Sequence, residues 1–347
     1  MKENDPRPDD LRPDNLQPDE RRQPRTNDAD QALAKSDDSL PRTAVVGAGA
    51  VGAFFGAMLA KAGAPVTLIG REAPMRAVAE RGLSIRGKSI HFTQAMASAT
   101  TLDAARGADL ILFCTKTTDT TATAKALRNV VGPSATVLSL QNGVDNVERI
   151  HDATGWHAVP AAVYVAVEMI EPGVIAHHGR GDLAIGAFPF ADVDPASASA
   201  SIDRIAGTFE AAGVPCRLSG DIRVDLWTKL VMNCAVNAIS ALGRAPYGRM
   251  GEHAEIRTMI AGLVNETVTV ARAEGIAMPP DDFVEAAHRL IDSMAGQYSS
   301  TAQDIERHKP TEIDALNGHV ARLASRHGID APLNRWLTAL VKLREQA

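Results

Sequence analysis

The sequence predicts an α/β, doubly wound N-terminal domain followed by an all-α C-terminal domain, on three observations. Short β-branched or apolar runs alternate with amphipathic stretches from Thr43 to about Val130, a glycine-spaced turn joins the first run to the first helical stretch, and strand signals stop after Ser219. Such alternation is the sequence form of a parallel sheet with crossover helices.

Taken in order, strands are expected at Thr43–Gly47, Pro65–Ile69, Asp109–Cys114 and Thr136–Leu140, each a short apolar run. Helices are expected at Val51–Ala62, Met75–Arg81 and Thr118–Val130, with a small hairpin of Leu83–Arg86 and Ser89–Thr93 around Gly87-Lys88. A mixed region holds strands near Val159–Val167, Val174–His177 and Leu183–Gly186, then a helix over Ala196–Ala212. Beyond Ser219, helical periodicity runs through Asp221–Leu242, Ile256–Glu274, Asp281–Gly296, Glu312–His327 and Leu333–Glu345, with Gly/Pro breaks at Gly275–Pro280 and Gly328–Pro332. The expected organisation is an extension over residues 1–40, a nucleotide-binding domain over 41–218 and a helical substrate or dimerisation domain over 219–347. No repeat of roughly 20–50 residues is visible, which argues against a solenoid.

Composition narrows the function. A chain of 347 residues with 45% hydrophobic residues can build its core without staples. Cys114, Cys216 and Cys234 are odd in number and widely spaced, so no disulfide framework or CxxC metal knuckle is available, and a reducing cytoplasm is the expected compartment. The net charge of −6 lacks the basic block of a nucleic-acid binder. Met1–Leu40 carries 11 acidic and 7 basic residues, 5 prolines and no aromatic; it is read as disordered and, without an apolar h-region, not as an export signal. The uncharged stretch Ala44–Ala60 is too short and too rich in glycine for a bilayer span. Partners should be small molecules or other proteins, with no membrane and no nucleic acid.

Gly47-Ala48-Gly49-Ala50-Val51-Gly52 has GxGxxG spacing directly between a predicted strand and a predicted helix, the frame of a Rossmann-type dinucleotide site. There the first glycine permits the tight turn, the second lets the backbone approach a pyrophosphate, and the third lets helix and strand pack closely. The helix N-terminus adds free N–H groups and a positive dipole end. At the end of the second strand, Arg71 precedes Glu72. An arginine there suits the extra phosphate of NADP(H) and an acid suits the ribose of NAD, so Arg71 favours NADP(H) while Glu72 weakens the preference. Lys116 and Asn142 follow two further strands, at the sheet edge where open α/β folds bind ligands; strand-end caps and cofactor contacts are both compatible with that placement.

Leu226–Ile239 is apolar nearly all round, yet Lys229, Asn233 and Asn237 recur every fourth residue and so form one ridge. Unpartnered burial of these groups would cost several kcal/mol, about 1–3 for each amide and more for the charge. Something polar must face them. It is either a satisfied helix–helix network or a ligand cleft in which the lysine donates a proton and the asparagines orient an oxygen-rich substrate.

The GAGAVG turn, the Lys116 strand end, Gln141-Asn142-Gly143, the Trp227–Asn237 helix, Ser299-Ser300-Thr-Ala-Gln303-Asp304-Ile305 and Pro310-Thr311-Glu312-Ile313-Asp314 together resemble the ketopantoate reductase (2-dehydropantoate 2-reductase) family, in the same order from Thr43 to about Pro332. The resemblance implies a helical second domain of the 6-phosphogluconate dehydrogenase C-terminal type and NADPH-dependent reduction of ketopantoate to pantoate in pantothenate and coenzyme A biosynthesis. It implies that Lys229 is the proton donor, that Asn233 and Asn237 bind substrate and Ser300 its carboxylate, and that Lys116, Asn142 and Glu312 lie near the cofactor. From the residues alone, Glu312 is equally a helix-start acid favoured by the dipole. Two positions depart from the family pattern on its substrate side: Tyr247 in Pro246-Tyr247-Gly248, and Gln297 before the serine pair, both asparagine elsewhere.

Other readings are a reductase of a different 2-keto acid, a 3-hydroxyacid- or opine-type dehydrogenase, and an NADP(H)-sensing protein without turnover. The Lys-Asn-Asn ridge and Ser300 argue against the dehydrogenases, and Lys229 against the sensor. No metal site is expected: there is no HExxH, and the adjacent His177 and His178 should point to opposite faces of a strand. A homodimer is left open.

Overall fold

The computed structural model describes residues 39–346. The expected disorder of residues 1–40 therefore falls outside the described residues, save for the last two. From Leu40 onward the chain forms one compact unit.

Its first part runs β1 (Thr43–Val46), α1 (Ala50–Lys61), β2 (Val66–Ile69), α2 (Glu72–Arg81), β3 (Leu83–Gly87), β4 (His91–Gln94), β5 (Ala97–Ala99), β6 (Leu110–Phe113), α3 (Thr120–Arg128), β7 (Thr136–Ser139), α4 (Asn146–Thr154), β8 (Val159–Glu171), β9 (Val174–Ile185), α5 (Pro195–Ala211) and β10 (Cys216–Leu218). The ten strands make one mixed sheet, ordered β4-β3-β9-β8-β7-β6-β1-β2-β5, with β10 also paired to β9. The stretch from β5 through β2, β1, β6 and β7 to β8 is parallel throughout, and its order reverses between β1 and β6. Ligands of doubly wound sheets bind at that reversal, beyond the carboxyl ends of the strands.

β1 shows why the sheet is buried on both faces. Val45 enters one core with Phe54, Phe55 and Leu68, while Val46 enters the opposite one with Ile111 and Phe113, following the two-residue period of a strand. The remaining described chain is helical: α6 (Ile222–Gly243), α7 (Tyr247–Gly251), α8 (Ala254–Ala273), α9 (Phe283–Ser293), α10 (Ser300–Glu306), α11 (Asn317–Arg326) and α12 (Pro332–Glu345). α6 is its axis, with Leu230, Val231, Cys234 and Ala235 in the third core.

Several boundaries differ from expectation for identifiable reasons. The strands expected at Val174–His177 and Leu183–Gly186 are one strand, β9; irregular register against β8 and Arg180 at φ +56 between two glycines break the alternation that marks a strand. The helix expected over Glu312–His327 is a 3₁₀ turn, Ile313–Ala315, and α11, separated by Leu316 at ψ −108. The elements α4, α7, α10, β5 and β10 were not expected; all but α4 are too short to show a period.

Candidate active site

The glycine turn connects β1 to α1. Gly47 has φ +88, and a Cβ there would lie 2.6 Å from the Thr115 nitrogen. A Cβ on Gly52 would sit 2.8 Å from Val45 Cγ1, so that glycine lets α1 lie against β1. At Gly49, by contrast, the nearest atom to an added Cβ is 3.9 Å away, and no side chain caps the helix. The first N–H groups of α1, at Ala50, Val51 and Gly52, are thus left for an anion in front of an open approach, and the turn fits a dinucleotide pyrophosphate.

Arg71 is exposed at the N-cap of α2, one residue after Gly70, and Glu72 opens the helix itself as its first-turn acid. Lys309, from the segment after α10, lies within electrostatic reach of Arg71. Its pKa is lowered by burial first and by the neighbouring charges of Arg71 and Arg307 next.

Loops after β6 and β7 are fixed by a buried polar network. Gln141 donates to Thr115 O (3.0 Å) and Thr120 Oγ1 (2.7 Å), Thr120 donates to Asn146 Oδ1 (3.1 Å), and Asn146 donates to Asn142 O (2.7 Å). On this platform the segment 304–312, the end of α10 and the chain that follows it, closes over the sheet edge. Lys116 Nζ donates to Asp304 (2.7 Å) and to Pro310 O, while Glu312 accepts from Thr117 N (3.2 Å) and Asn142 Nδ2 (3.0 Å). Glu312 therefore crosses to the sheet rather than serving its own helix start, where it makes no capping bond. A second bridge, Arg307 to Glu168, ties the end of α10 to β8. Burial raises the Asp304 pKa despite the opposing Lys116 ammonium.

The ridge lies along α6. Asn237 is buried, and its Oδ1 accepts from the buried Tyr247 hydroxyl at 3.4 Å. Asn233 is half-buried and, like Lys229, has no hydrogen-bond partner among the described residues. Lys229 keeps some solvent access, yet burial pushes its pKa down to about 8, Arg180 adding to the shift and Glu312 opposing it. One carboxylate thus links the ridge to the sheet edge.

Ser300 is the exposed first residue of α10. It is Ser299 that is buried there, donating to Asn237 O (2.9 Å) and accepting from Ala302 N (3.0 Å). Gln297 is half-buried and its carbonyl accepts from Tyr247 N (2.9 Å). Sequence reasoning quoted Ser299 and Asp304 within a motif but gave them no role, and it passed over Arg307, Arg180 and Glu168. Ser299 could have been found as a serine cap before a short helix; Asp304, Arg307 and Glu168 owe their place to contacts distant in sequence, while Arg180 is held locally by Asp182 (2.7 Å). Three large cavities, of about 440 Å³ beside Tyr164 and Arg180, about 850 Å³ beside Trp227 and His319 and about 410 Å³ beside Trp156 and Phe190, do not include the ridge lysine among their walls.

Family models carry the same order. Residues 43–189 match the model described as ketopantoate reductase PanE/ApbA, and residues 221–345 match its C-terminal counterpart. The chain belongs to the ketopantoate reductase family. The 2-dehydropantoate 2-reductase of Pyrococcus abyssi is 33% identical over 87% of this chain and 97% of its own length. The crystal structure of a PanE/ApbA family ketopantoate reductase from Ralstonia eutropha JMP134 superposes with a TM-score of 0.80 at 42% identity, covering 88% of this chain and 98% of that one. D-mandelate dehydrogenase, solved with NADH and anilino(oxo)acetate, shares the fold with a TM-score of 0.79 at 23% identity, covering 88% and 98%. As a member of this family the chain is an oxidoreductase acting on a CH–OH group with a nicotinamide cofactor. Among the described residues, no helix is long and apolar enough to cross a membrane.

Proposed function

We propose that this ketopantoate reductase family member uses NADPH to reduce a small 2-keto acid to the 2-hydroxy acid, with ketopantoate to pantoate, the step toward pantothenate and coenzyme A, as the leading substrate pair. The carrying observation is the placement of Lys229. Its ammonium has no partner among the described residues, shares a ridge with Asn233 and Asn237, and feels the field of Glu312, which itself bonds Thr117 and Asn142 at the sheet edge. In this reading the sheet-containing part, 41–218, holds the cofactor through the Gly47–Gly52 turn, Arg71, Lys116 and Asn142. The helical part, 219–347, holds the acid.

When bound, the cofactor supplies hydride to the carbonyl carbon. Lys229 donates its proton to the carbonyl oxygen as negative charge develops there, and its positive charge stabilises that oxygen before transfer. Asn233 and the amide nitrogen of Asn237, which has no partner among the described residues, orient the substrate, and Ser300 and Gln297 approach its carboxylate side. Because Tyr247 occupies the Asn237 carbonyl, the amide presents its N–H face. The test is NADPH oxidation against ketopantoate and a panel of other 2-keto acids. Turnover of none of them overturns the proposal.

Tyr247→Asn replaces a rigid phenol by the amide common in the family, so relative kcat/KM should shift toward ketopantoate by about tenfold or more. An equal change for every acid would mean that Tyr247 acts only through packing.

The lowered lysine pKa sets a pH dependence. A general acid works only while protonated, so kcat/KM should fall above about pH 8, by about tenfold per unit. The unfolded chain holds this proton up to about 10.5, so the same shift makes folded stability rise with pH between about 8 and 10.5. A flat kcat/KM profile up to the lysine's ordinary range would show that the proton donor does not titrate near 8.

A homodimer is also proposed. Trp336, Leu340 and Leu343 are 58%, 48% and 65% exposed on one face of α12, whereas Leu337 and Val341 on the other face are buried. Light scattering should give a dimer mass for the native chain and a monomer for Trp336→Lys. A monomeric native chain ends this part of the proposal.

A further inference from the structure

Away from the sheet edge and the ridge, three side chains converge from three separate segments. His151 lies in the last turn of α4, His157 in the lead into β8, and Asp192 in the loop between β9 and α5. One nitrogen from each ring and one carboxylate oxygen all lie within 4.8 Å of one another. His157 Nε2 is 2.9 Å and His151 Nε2 is 3.9 Å from the same oxygen, Asp192 Oδ1. We propose that His151, His157 and Asp192 form a binding site for a zinc-type divalent transition-metal ion.

Two imidazoles and a carboxylate are the ligand set that suits zinc, at bond lengths of about 2.0–2.2 Å. Ligand atoms around a tetrahedral zinc stand about 3.4 Å apart by those bond lengths. The observed 2.9 and 3.9 Å bracket that spacing, so closure requires side-chain adjustments rather than a new backbone path. The two imidazoles lean together at 25° with centroids 5.2 Å apart, and Phe190 packs on both, at 4.7 and 5.2 Å. That apolar backing limits where the rings can go. His151 Nδ1 is buried without a partner, so the ring's available bonding edge is Nε2, the edge that faces Asp192.

Asp192 Oδ1 accepts a hydrogen bond from His157 Nε2 at 2.9 Å. It is also exposed, which leaves the fourth coordination position open to water. An ion would clip the loop before α5 to α4, joining segments that are more than thirty residues apart in sequence.

Tag-free, chelator-stripped protein titrated calorimetrically with zinc chloride should bind one ion per chain with a Kd of about 1–10 μM, reduced at least tenfold in affinity by His157→Asn and by Asp192→Asn. His91→Asn, changed at an exposed histidine elsewhere, should leave the affinity within twofold. Zinc should raise the melting midpoint of the native chain and not that of the two site variants. Unchanged NADPH binding by fluorescence shows that the variants are folded. The absence of saturable zinc binding, or binding that both site variants retain, overturns the proposal and leaves His157 and Asp192 as a hydrogen-bonded pair only.

Discussion

Lys229→Ala should lower kcat by about 10²- to 10⁴-fold while NADPH affinity, read by fluorescence titration, stays within a few-fold. The reasoning begins with the charge that hydride addition creates. An alkoxide forming in a cleft needs a proton or a cation at that oxygen, and Lys229 is the ridge cation whose pKa, pushed down to about 8, sits close to working pH. The asparagines can orient the substrate, but a carboxamide cannot release a proton in this range. A lysine of purely structural importance would behave differently: its loss would destabilise the fold and weaken all binding together. A folded variant with kcat within tenfold of the native enzyme would assign proton delivery to another group or to water.

Arg71→Ala should raise KM for NADPH by roughly 10- to 150-fold and leave KM for NADH nearly unchanged. That range corresponds to a charge-assisted phosphate contact of about 1.5–3 kcal/mol. Arg71 is exposed just beyond the end of β2, and the nearby Lys309 strengthens the positive field there. Glu72, the acid that could have favoured NADH, is placed in the first turn of α2, where the helix dipole stabilises it. The Arg71 effect should shrink as salt rises, because the contact is exposed. An unchanged NADPH-to-NADH ratio would show that specificity is set elsewhere.

Legibility in the sequence follows the range of the interactions. Each parallel strand from β1 to β7 with a strong apolar run was visible, because burial on both faces demands such a run over a few consecutive residues. The long helices of the second part were visible by their period. The three glycines around α1 were equally readable, since what Gly47 and Gly52 need is set by the turn and the strand beside it. Short or irregular elements were not. α7 and α10 span five and seven residues, too few for a period to stand out, and β9 hides its alternation behind bulges.

By itself, then, the sequence determined the order of elements, the phosphate turn and the four-residue spacing of Lys229, Asn233 and Asn237 on α6. It also carried the motifs that place the chain in its family. Only the tertiary structure decided which polar groups meet across the fold. Lys116 and Asp304 are 188 residues apart, Thr117 and Glu312 are 195 apart, and Tyr247 reaches Asn237 from a helix that the sequence did not announce. Periodicity records which face of an element is buried, because the residues that share a face share its burial while those on the opposite face do not. It contains nothing about which distant face comes to cover it, and the pairing of Glu312 with the sheet edge, like the meeting of His151, His157 and Asp192, arises only when separate elements pack.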